Sequence, residues 1–189
     1  MSLIPTASQT VGPFFHLELT DHGSLGQMAD KGARGERIRL HCRVLDGDGA
    51  PVPDAMIELW QANAEGKYDH PEDPQTKQID PVFHGYGRLP TREDGTCTFE
   101  TIKPGRVPAP GGRLQAPHIN VSIFARGLLK QLTTRIYFVG DSANDEDMAL
   151  ALVPRERRNT LMAQMDSADS SWRFEVHLCG DNETVFFNL

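Results

Sequence analysis

The stretch with the most chemical potential is residues 116–123, which read APHINVSI. Apolar and polar residues alternate here, so His118 and Asn120 are expected on the same face of a β-strand. A His-x-His pair on a strand could hold a metal ion with two imidazoles, but the second position here is an asparagine. The stretch is therefore compatible with a weak metal site, a site that has lost its metal, or a polar strand face.

Further side chains capable of metal binding or acid–base chemistry lie in one long loop, residues 61–90. That loop carries Tyr68, His70, His84 and Tyr86. A loop of this length in a compact domain is usually functional or disordered, and its aromatic side chains argue against disorder. The sequence has no H-x-H or H-x-x-x-H pair, and it has no catalytic-triad, phosphate-loop or paired-cysteine zinc motif.

Alternating segments predict the strands that must position these residues. The predicted strands are 36–45, 54–60, 96–102, 117–125, 131–139, 172–178 and 183–187. The pattern changes at 144–166, where Asn144 is a candidate N-cap and Pro154 a candidate first-turn residue of two short helices. Many strands at short spacing with one helical insert predict a mainly β fold, a β-sandwich of mixed sheets.

The first 35 residues lack sustained periodicity, which predicts an extended N-terminal arm with loops, followed by a sandwich domain over residues 36–189. Phe14 and Phe15 within this arm are too apolar to remain in water. They are expected to dock either on the core of this chain or on another chain.

Composition excludes several classes of function. The net charge of −7 argues against a nucleic-acid partner. No apolar run approaches the ~18 residues of a membrane span, and the N-terminus does not resemble a signal peptide. The sequence has three cysteines, an odd number, and each lies in a strand-like segment: Cys42, Cys97 and Cys179. This predicts buried, reduced thiols and a cytoplasmic location.

Three segments, in this order and spacing, resemble the intradiol ring-cleavage dioxygenases. They are ELWQANAEGKY at 58–68, GYGR at 85–88 with FETIKPG at 99–105, and APHINVSIFARGLLKQLTTRIYF at 116–138. The resemblance covers about residues 36–141 at motif level. It implies a β-sandwich whose relatives use O2 and a non-haem Fe(III) to open a catecholate ring between its two hydroxylated carbons.

The resemblance also implies which positions would bind the iron, namely two tyrosines and two histidines, and phenolate oxygens suit a hard Fe(III) ion. The first ligand of each kind falls on Tyr68 and His118. The other two fall on Val107, which cannot ligate a metal, and on Asn120, whose neutral amide is a poor ligand. The family arginine that supports the substrate falls on Gln115. We therefore expect a degenerate site, with Tyr68 and His118 as remnants, no bound metal and no catalytic residue.

Some members of the family pair two homologous chains, of which one holds Fe(III) and the other has a degenerate site. The sequence resembles the second kind nearly from end to end, including TASQTVGPF at 6–14 and GDNETVFFNL at 180–189. This implies an iron-holding partner chain in a hetero-oligomer, with protocatechuate and O2 bound at a shared site. The chain alone is then expected to be inactive.

The same resemblance implies substrate-site residues on this chain. Gly12, Pro13 and Phe14 would line the mouth of the partner's site, where glycine permits close backbone approach and proline restricts the turn. Arg126 would reach the substrate, because a guanidinium matches a carboxylate in charge and geometry.

Two alternatives remain open at this point. The chain could be an autonomous intradiol dioxygenase in which His70 or His84 replaces the missing ligands, which predicts iron and colour in the isolated chain. It could instead be a non-enzymatic β-sandwich that binds a carrier ligand or another protein, which predicts no effect on any ring-cleaving partner.

Overall fold

The computed structural model describes residues 4–12, 14–20 and 23–188. Its ten strands are β1 (Arg37–Leu45), β2 (Met56–Gln61), β3 (Tyr86–Pro90), β4 (Thr96–Ile102), β5 (Val107–Pro108), β6 (Leu114–Gln115), β7 (His118–Phe124), β8 (Leu132–Phe138), β9 (Met162–Asp166) and β10 (Ser171–His177). The two α-helices are α1 (Phe14–Leu19) and α2 (Met148–Ala151). Short 3-10 helices span Gly23–Gly26, Pro110–Gly112, Ser142–Glu146 and Arg155–Leu161.

Eight of these strands form one curved sheet in the order β3-β2-β7-β8-β9-β10-β1-β4, and β5 pairs with β6 separately. The pairs β1–β10 and β8–β9 are parallel and the other pairs are antiparallel. Strand β9 connects the two halves of the sheet, which fold over one another as a sandwich. The predicted mainly β fold with mixed sheets is confirmed.

The core lies between the two halves and is built by alternation along the strands. Inward residues of β7 (Ile119, Val121 and Ile123) are buried, whereas Asn120 and Ser122 on the opposite face are only partly covered. Residues from β1, β2, β4, β8 and β10 complete the same apolar cluster. Because each fully buried aliphatic side chain stabilises the fold by about 1.5–3 kcal/mol, this alternation fixes which face of β7 points outward.

The sequence predicts an extended N-terminal arm with loops, but part of this arm is helical. Residues 4–12 are irregular, but residues 14–19 form helix α1. The Phe15 ring lies 5.7 Å from that of Phe124, so this phenylalanine docks on its own chain. Pro13 lies outside the described residues. Later in the arm, Met28 and Ala29 are completely buried in the domain.

The helical insert is shorter than expected, because residues 162–166 form strand β9. That segment pairs with both β8 and β10, so sheet pairing overrides the helical pattern. The capping residues also differ: Asp141 and Asp147 cap the 3-10 helix and α2, while the Asn144 side chain donates to the carbonyl of Phe138 at 2.8 Å. Pro154 stands at the N-cap, immediately before Arg155–Leu161.

Two smaller expectations also fail near the C-terminus. Residues 183–187 do not form a strand, since only Phe187 makes an isolated bridge, to Thr133. Cys179 follows the end of β10 and is exposed. Cys42 and Cys97 are buried, as predicted, and they face one another across β1 and β4.

Among the described residues, none of the helices has the length and apolar character that crossing a bilayer requires.

Candidate functional site

A cavity of about 600 Å³ opens near the start of β7. One wall comes from the end of β2 and the long loop after it, and the other from the segment that contains β5 and β6. Its lining includes Trp60, Tyr68, His70, Val107, Pro108 and Gln115. This volume lies within the range of small-molecule sites, about 300–1,000 Å³.

Aromatic stacking and strand pairing place Tyr68 in this cavity. Trp60 is paired with Asn120 across β2 and β7. The Tyr68 ring stacks on Trp60 with centroids 5.7 Å apart and an interplanar angle of 12°, and His70 meets the same indole edge-on at 6.3 Å. The backbone N–H of Tyr68 donates to Asp73 at 2.8 Å, which holds the loop in this position.

Three of the four positions that correspond to the family's iron ligands, Tyr68, Val107 and Asn120, meet at this cavity. The Asn120 amide donates to the Tyr68 hydroxyl at 3.2 Å, and Val107 lines the same cavity. His118 lies two residues before Asn120 on β7 and is buried, and its Nδ1–H donates to the carbonyl of Ala116 at 2.8 Å. The sequence motifs therefore identify a set of residues that the fold brings together.

These residues do not fit a Fe(III) ion. Val107 has no donor atom, and the Asn120 amide is used as a donor to Tyr68. Burial raises the pKa of the Tyr68 hydroxyl, partly offset by the Asn120 hydrogen bond and the charge of Arg135, so the phenol form is favoured over phenolate. Within the described part of the chain, no group of three or more His, Cys, Asp or Glu side chains could hold a metal.

Two loop histidines, His70 and His84, were considered as replacement iron ligands. They do not complete a set of iron ligands. His70 lines the cavity, but its Nδ1 accepts the backbone N–H of Glu72 at 3.2 Å. His84 lies 3.6 Å from Asp30 on the surface, and it is not part of the cavity lining.

His118 is held neutral by its surroundings. Burial, followed by the charge of Arg135, lowers its pKa to about 4 from the usual 6.5, against the opposing effect of the hydrogen bond to Ala116. In the unfolded chain the imidazole would bind a proton near pH 6.5. This group therefore stabilises the fold above that pH, and its contribution is lost as the pH falls from 6.5 to 4.

We expect this loss to appear in the pH dependence of stability. Between pH 7 and pH 4.5, the wild-type chain should lose about 2–3 kcal/mol more of its free energy of unfolding than His118→Gln, because glutamine does not titrate. Urea denaturation of both chains at the two pH values measures the difference. Parallel losses in the two chains would show that His118 is not the titrating group.

Sequence reasoning missed Arg135. On β8 it lies directly opposite Asn120, and its Nη1 donates to the Gln115 side chain at 2.8 Å. The sequence suggests that a supporting cation is lost at position 115, but the fold brings a guanidinium to that position from another strand. Only the register of the hairpin formed by the predicted strands 117–125 and 131–139 could have indicated this.

A second cluster of predicted site residues lies at the other end of β7. The backbone N–H of Gly127 donates to the Thr10 hydroxyl at 2.7 Å, so the N-terminal arm lies against the turn that contains Arg126. Arg126 is exposed and makes no ion pair among the described residues. Gly12 is also exposed, and a Cβ added to it would meet nothing within 4 Å.

The two clusters are far apart. β7 has seven residues, from His118 to Phe124, just before Arg126, and at a rise of about 3.3 Å per residue it puts roughly 20 Å between the two clusters. The structure thus brings the arm and Arg126 together but separates both from the cavity around Tyr68.

Comparisons with known proteins agree with these motifs. The family model Dioxygenase_C, described as dioxygenase, matches residues 11–181. The chain is 40% identical to the protocatechuate 3,4-dioxygenase alpha chain of Burkholderia cepacia, over 100% of this chain and 99% of that one. It is 36% identical to the beta chain from the same organism, over 79% of this chain and 67% of that one.

A solved structure shows a related fold. The catechol 1,2-dioxygenase of Acinetobacter sp. ADP1, inhibited by bound mercury, superposes with a TM-score of 0.62 at 26% identity, covering 86% of this chain and 60% of that one.

Proposed function

Because the chain belongs to the intradiol ring-cleavage dioxygenase family, we propose that it is the alpha subunit of a protocatechuate 3,4-dioxygenase. The whole enzyme would open the ring of protocatechuate with O2 to give 3-carboxy-cis,cis-muconate, a step of aromatic catabolism in the β-ketoadipate pathway. We place the enzyme in the cytoplasm, in keeping with Cys42 and Cys97, which are buried free cysteines.

One observation carries the proposal: a full-length match to alpha chains is combined with a site that lacks the family's tyrosine and histidine ligands at positions 107 and 120. Such a chain cannot supply the iron itself. We therefore propose that the Fe(III) is held by a homologous beta chain, and that this chain shapes the site around it. The B. cepacia beta chain, itself homologous to this sequence, is the model for that partner.

The position of Arg126 supports a role at the site of another chain. Its side chain is exposed and lies beyond the end of β7, roughly 20 Å from the cavity of its own chain, so it is too distant to act there. We propose that it binds the carboxylate of protocatechuate at the shared site. A guanidinium can meet a carboxylate with two parallel hydrogen bonds.

The arm is the proposed companion of Arg126. Thr10 ties it to the Arg126 turn, and Phe15 anchors it on Phe124. We propose that residues 1–35 contact the partner chain, that Gly12, Pro13 and Phe14 line the mouth of its site, and that residues 36–189 form the sandwich domain. The small size of Gly12 is not needed within this chain, which is consistent with a close approach by another one.

The iron content and visible absorbance of the chain purified alone test this function. We expect a colourless, iron-free and inactive protein that raises the protocatechuate-cleaving activity of an iron-loaded beta chain when the two are combined. Stoichiometric iron with a tyrosinate-to-Fe(III) charge-transfer band would instead indicate an autonomous dioxygenase. An iron-free chain without effect on the beta chain would indicate a non-enzymatic binding protein.

A further inference from the structure

Two cysteines face each other at one edge of the large sheet. Cys42 on β1 is the direct partner of Cys97 on β4. Two positions along the same pair of strands, the backbone N–H of Val44 donates to the carbonyl of Gly95 at 2.9 Å. Because hydrogen-bonded and non-hydrogen-bonded pairs alternate in an antiparallel ladder, the two cysteines also form a hydrogen-bonded pair, with Cα atoms about 5.5 Å apart. A disulfide bond spans Cα separations of about 4.4–6.8 Å, so this pair has the spacing that a disulfide requires.

The two thiols lie in the same apolar core, and the third cysteine lies elsewhere. Cys42 is 1% exposed and Cys97 is 3% exposed. Hydrogen bonding with the Cys97 side chain, followed by burial, raises the pKa of the Cys42 thiol. The Sγ atom of Cys179 lies beside Gly47, beyond the end of β1, and is therefore roughly 10 Å or more from Cys42. The disulfide that the fold favours is thus the one between Cys42 and Cys97.

Cys97 is the thiol that a small oxidant reaches first, because β4 is the outermost strand. In the sheet order β4 is paired with β1 on one side only. On its other side the arm is attached further along, where the backbone N–H of Met28 donates to the carbonyl of Glu100 at 2.9 Å. A groove of about 430 Å³ between the arm and β4 has both Cys97 and Gln27 in its lining. Segments with fewer backbone partners open locally at a lower free-energy cost, so opening of β4 exposes Cys97 to this groove.

We propose that Cys42 and Cys97 form an oxidative modification site, at which hydrogen peroxide joins β1 to β4 through a disulfide bond. The Cys97 thiolate attacks one peroxide oxygen and the O–O bond breaks. This gives a sulfenic acid and a hydroxide, which becomes water by taking up the proton that the thiol released. The Cys42 sulfur then attacks the sulfenic sulfur, and the S–O bond breaks as the oxygen leaves as a second water. Each sulfur loses one electron and the peroxide gains two.

The disulfide cross-links the part of the chain that carries the cavity wall. It encloses residues 43–96, which include β2, β3 and the loop with Tyr68. A cross-link removes conformational freedom from the unfolded chain, and the effect grows with the length of the enclosed loop. Oxidation should therefore stabilise the fold. The inference goes beyond the proposed function, because both thiols belong to this chain and neither iron nor a partner chain takes part.

Peroxide treatment of the full-length Cys179→Ser chain tests the proposal, since this substitution removes the exposed thiol that could link two chains. We expect both remaining thiols to become unreactive toward a thiol reagent in the denatured chain, and the intact mass to fall by that of two hydrogen atoms. The thermal midpoint of unfolding should rise by about 5–15 °C, because the enclosed loop is long. Dithiothreitol should restore the thiols, the mass and the original midpoint.

Cys42→Ala in the same background is the matched control. It keeps Cys97 but cannot form the bond, so peroxide should give a sulfenic acid and should not raise the thermal midpoint. Alanine is small and apolar and suits the buried position. If this variant nevertheless fails to fold, the oxidised and reduced forms of the Cys179→Ser chain still decide the question.

Three results would overturn the proposal. They are thiols that stay reactive after peroxide treatment of the folded Cys179→Ser chain, oxidation of these thiols to sulfinic acids, and a cross-linked chain that melts no higher than the reduced one. A chain that forms the disulfide but fails to activate a beta chain would sustain this inference and reject the proposed function.

Discussion

Arg126→Ala is expected to raise the KM for protocatechuate by roughly ten- to a hundredfold in the assembled enzyme, while changing that for catechol much less. A hydrogen-bonded charge pair that is shielded from water contributes about 1.5–3 kcal/mol, which corresponds to that range. Catechol lacks the carboxylate, so it loses no such interaction. Steady-state kinetics on both substrates measure the two effects.

The chain itself makes Arg126 available for this contact. Its side chain is exposed, and the turn that carries it is tied to the arm by the hydrogen bond from Gly127 to Thr10. Since no acidic side chain in the described regions pairs with it, no internal ion pair has to break before the guanidinium binds an anion.

Lys130→Ala is the matched control, because Lys130 is an exposed cation in the same hairpin connection. Its removal should change the KM for protocatechuate only slightly, through the general electrostatic field. Equal effects of Arg126→Ala on protocatechuate and catechol would rule out the carboxylate contact and leave Arg126 as an interface residue.

Gly66→Ala is expected to reduce the free energy of unfolding by about 3 kcal/mol or more. Gly66 has a φ of +78°, and a Cβ added there would lie 1.8 Å from the carbonyl oxygen of Arg106. The neighbour is backbone and cannot rotate away, so the loop before Tyr68 would have to move. The aromatic wall of the cavity should be displaced with it.

Gly49→Ala separates backbone strain from this clash. Gly49 also has a φ of +78°, but a Cβ there would meet nothing within 4 Å. Gly49→Ala should reduce the free energy of unfolding by only about 1–2 kcal/mol, because alanine is strained in a left-handed conformation. Urea denaturation of both variants gives the comparison, and equal losses would show that the packing against Arg106 is unimportant.

Much of the fold could be predicted because strand formation leaves a local pattern. Alternation along residues 36–45, 96–102 and 117–125 depends only on which face of each strand is buried, and the observed strands agree to within one or two residues. The motifs around Tyr68 and Asn120 likewise identified two side chains that meet in the structure.

The errors arose where distant pairing decides the local structure. Residues 162–166 carry a helical pattern, but two neighbouring strands draw them into the sheet. Cys179 was expected in a strand, but β10 ends before it at His177.

By itself the sequence determined the alternation of strands, the family motifs and the loss of the family's tyrosine and histidine ligands at Val107 and Asn120, because these depend on residue types and their spacing. Tertiary structure alone decided that Arg135 reaches Gln115, and that Thr10 meets Gly127 across 117 positions of sequence. Both contacts depend on strand register and chain packing, which local periodicity does not encode.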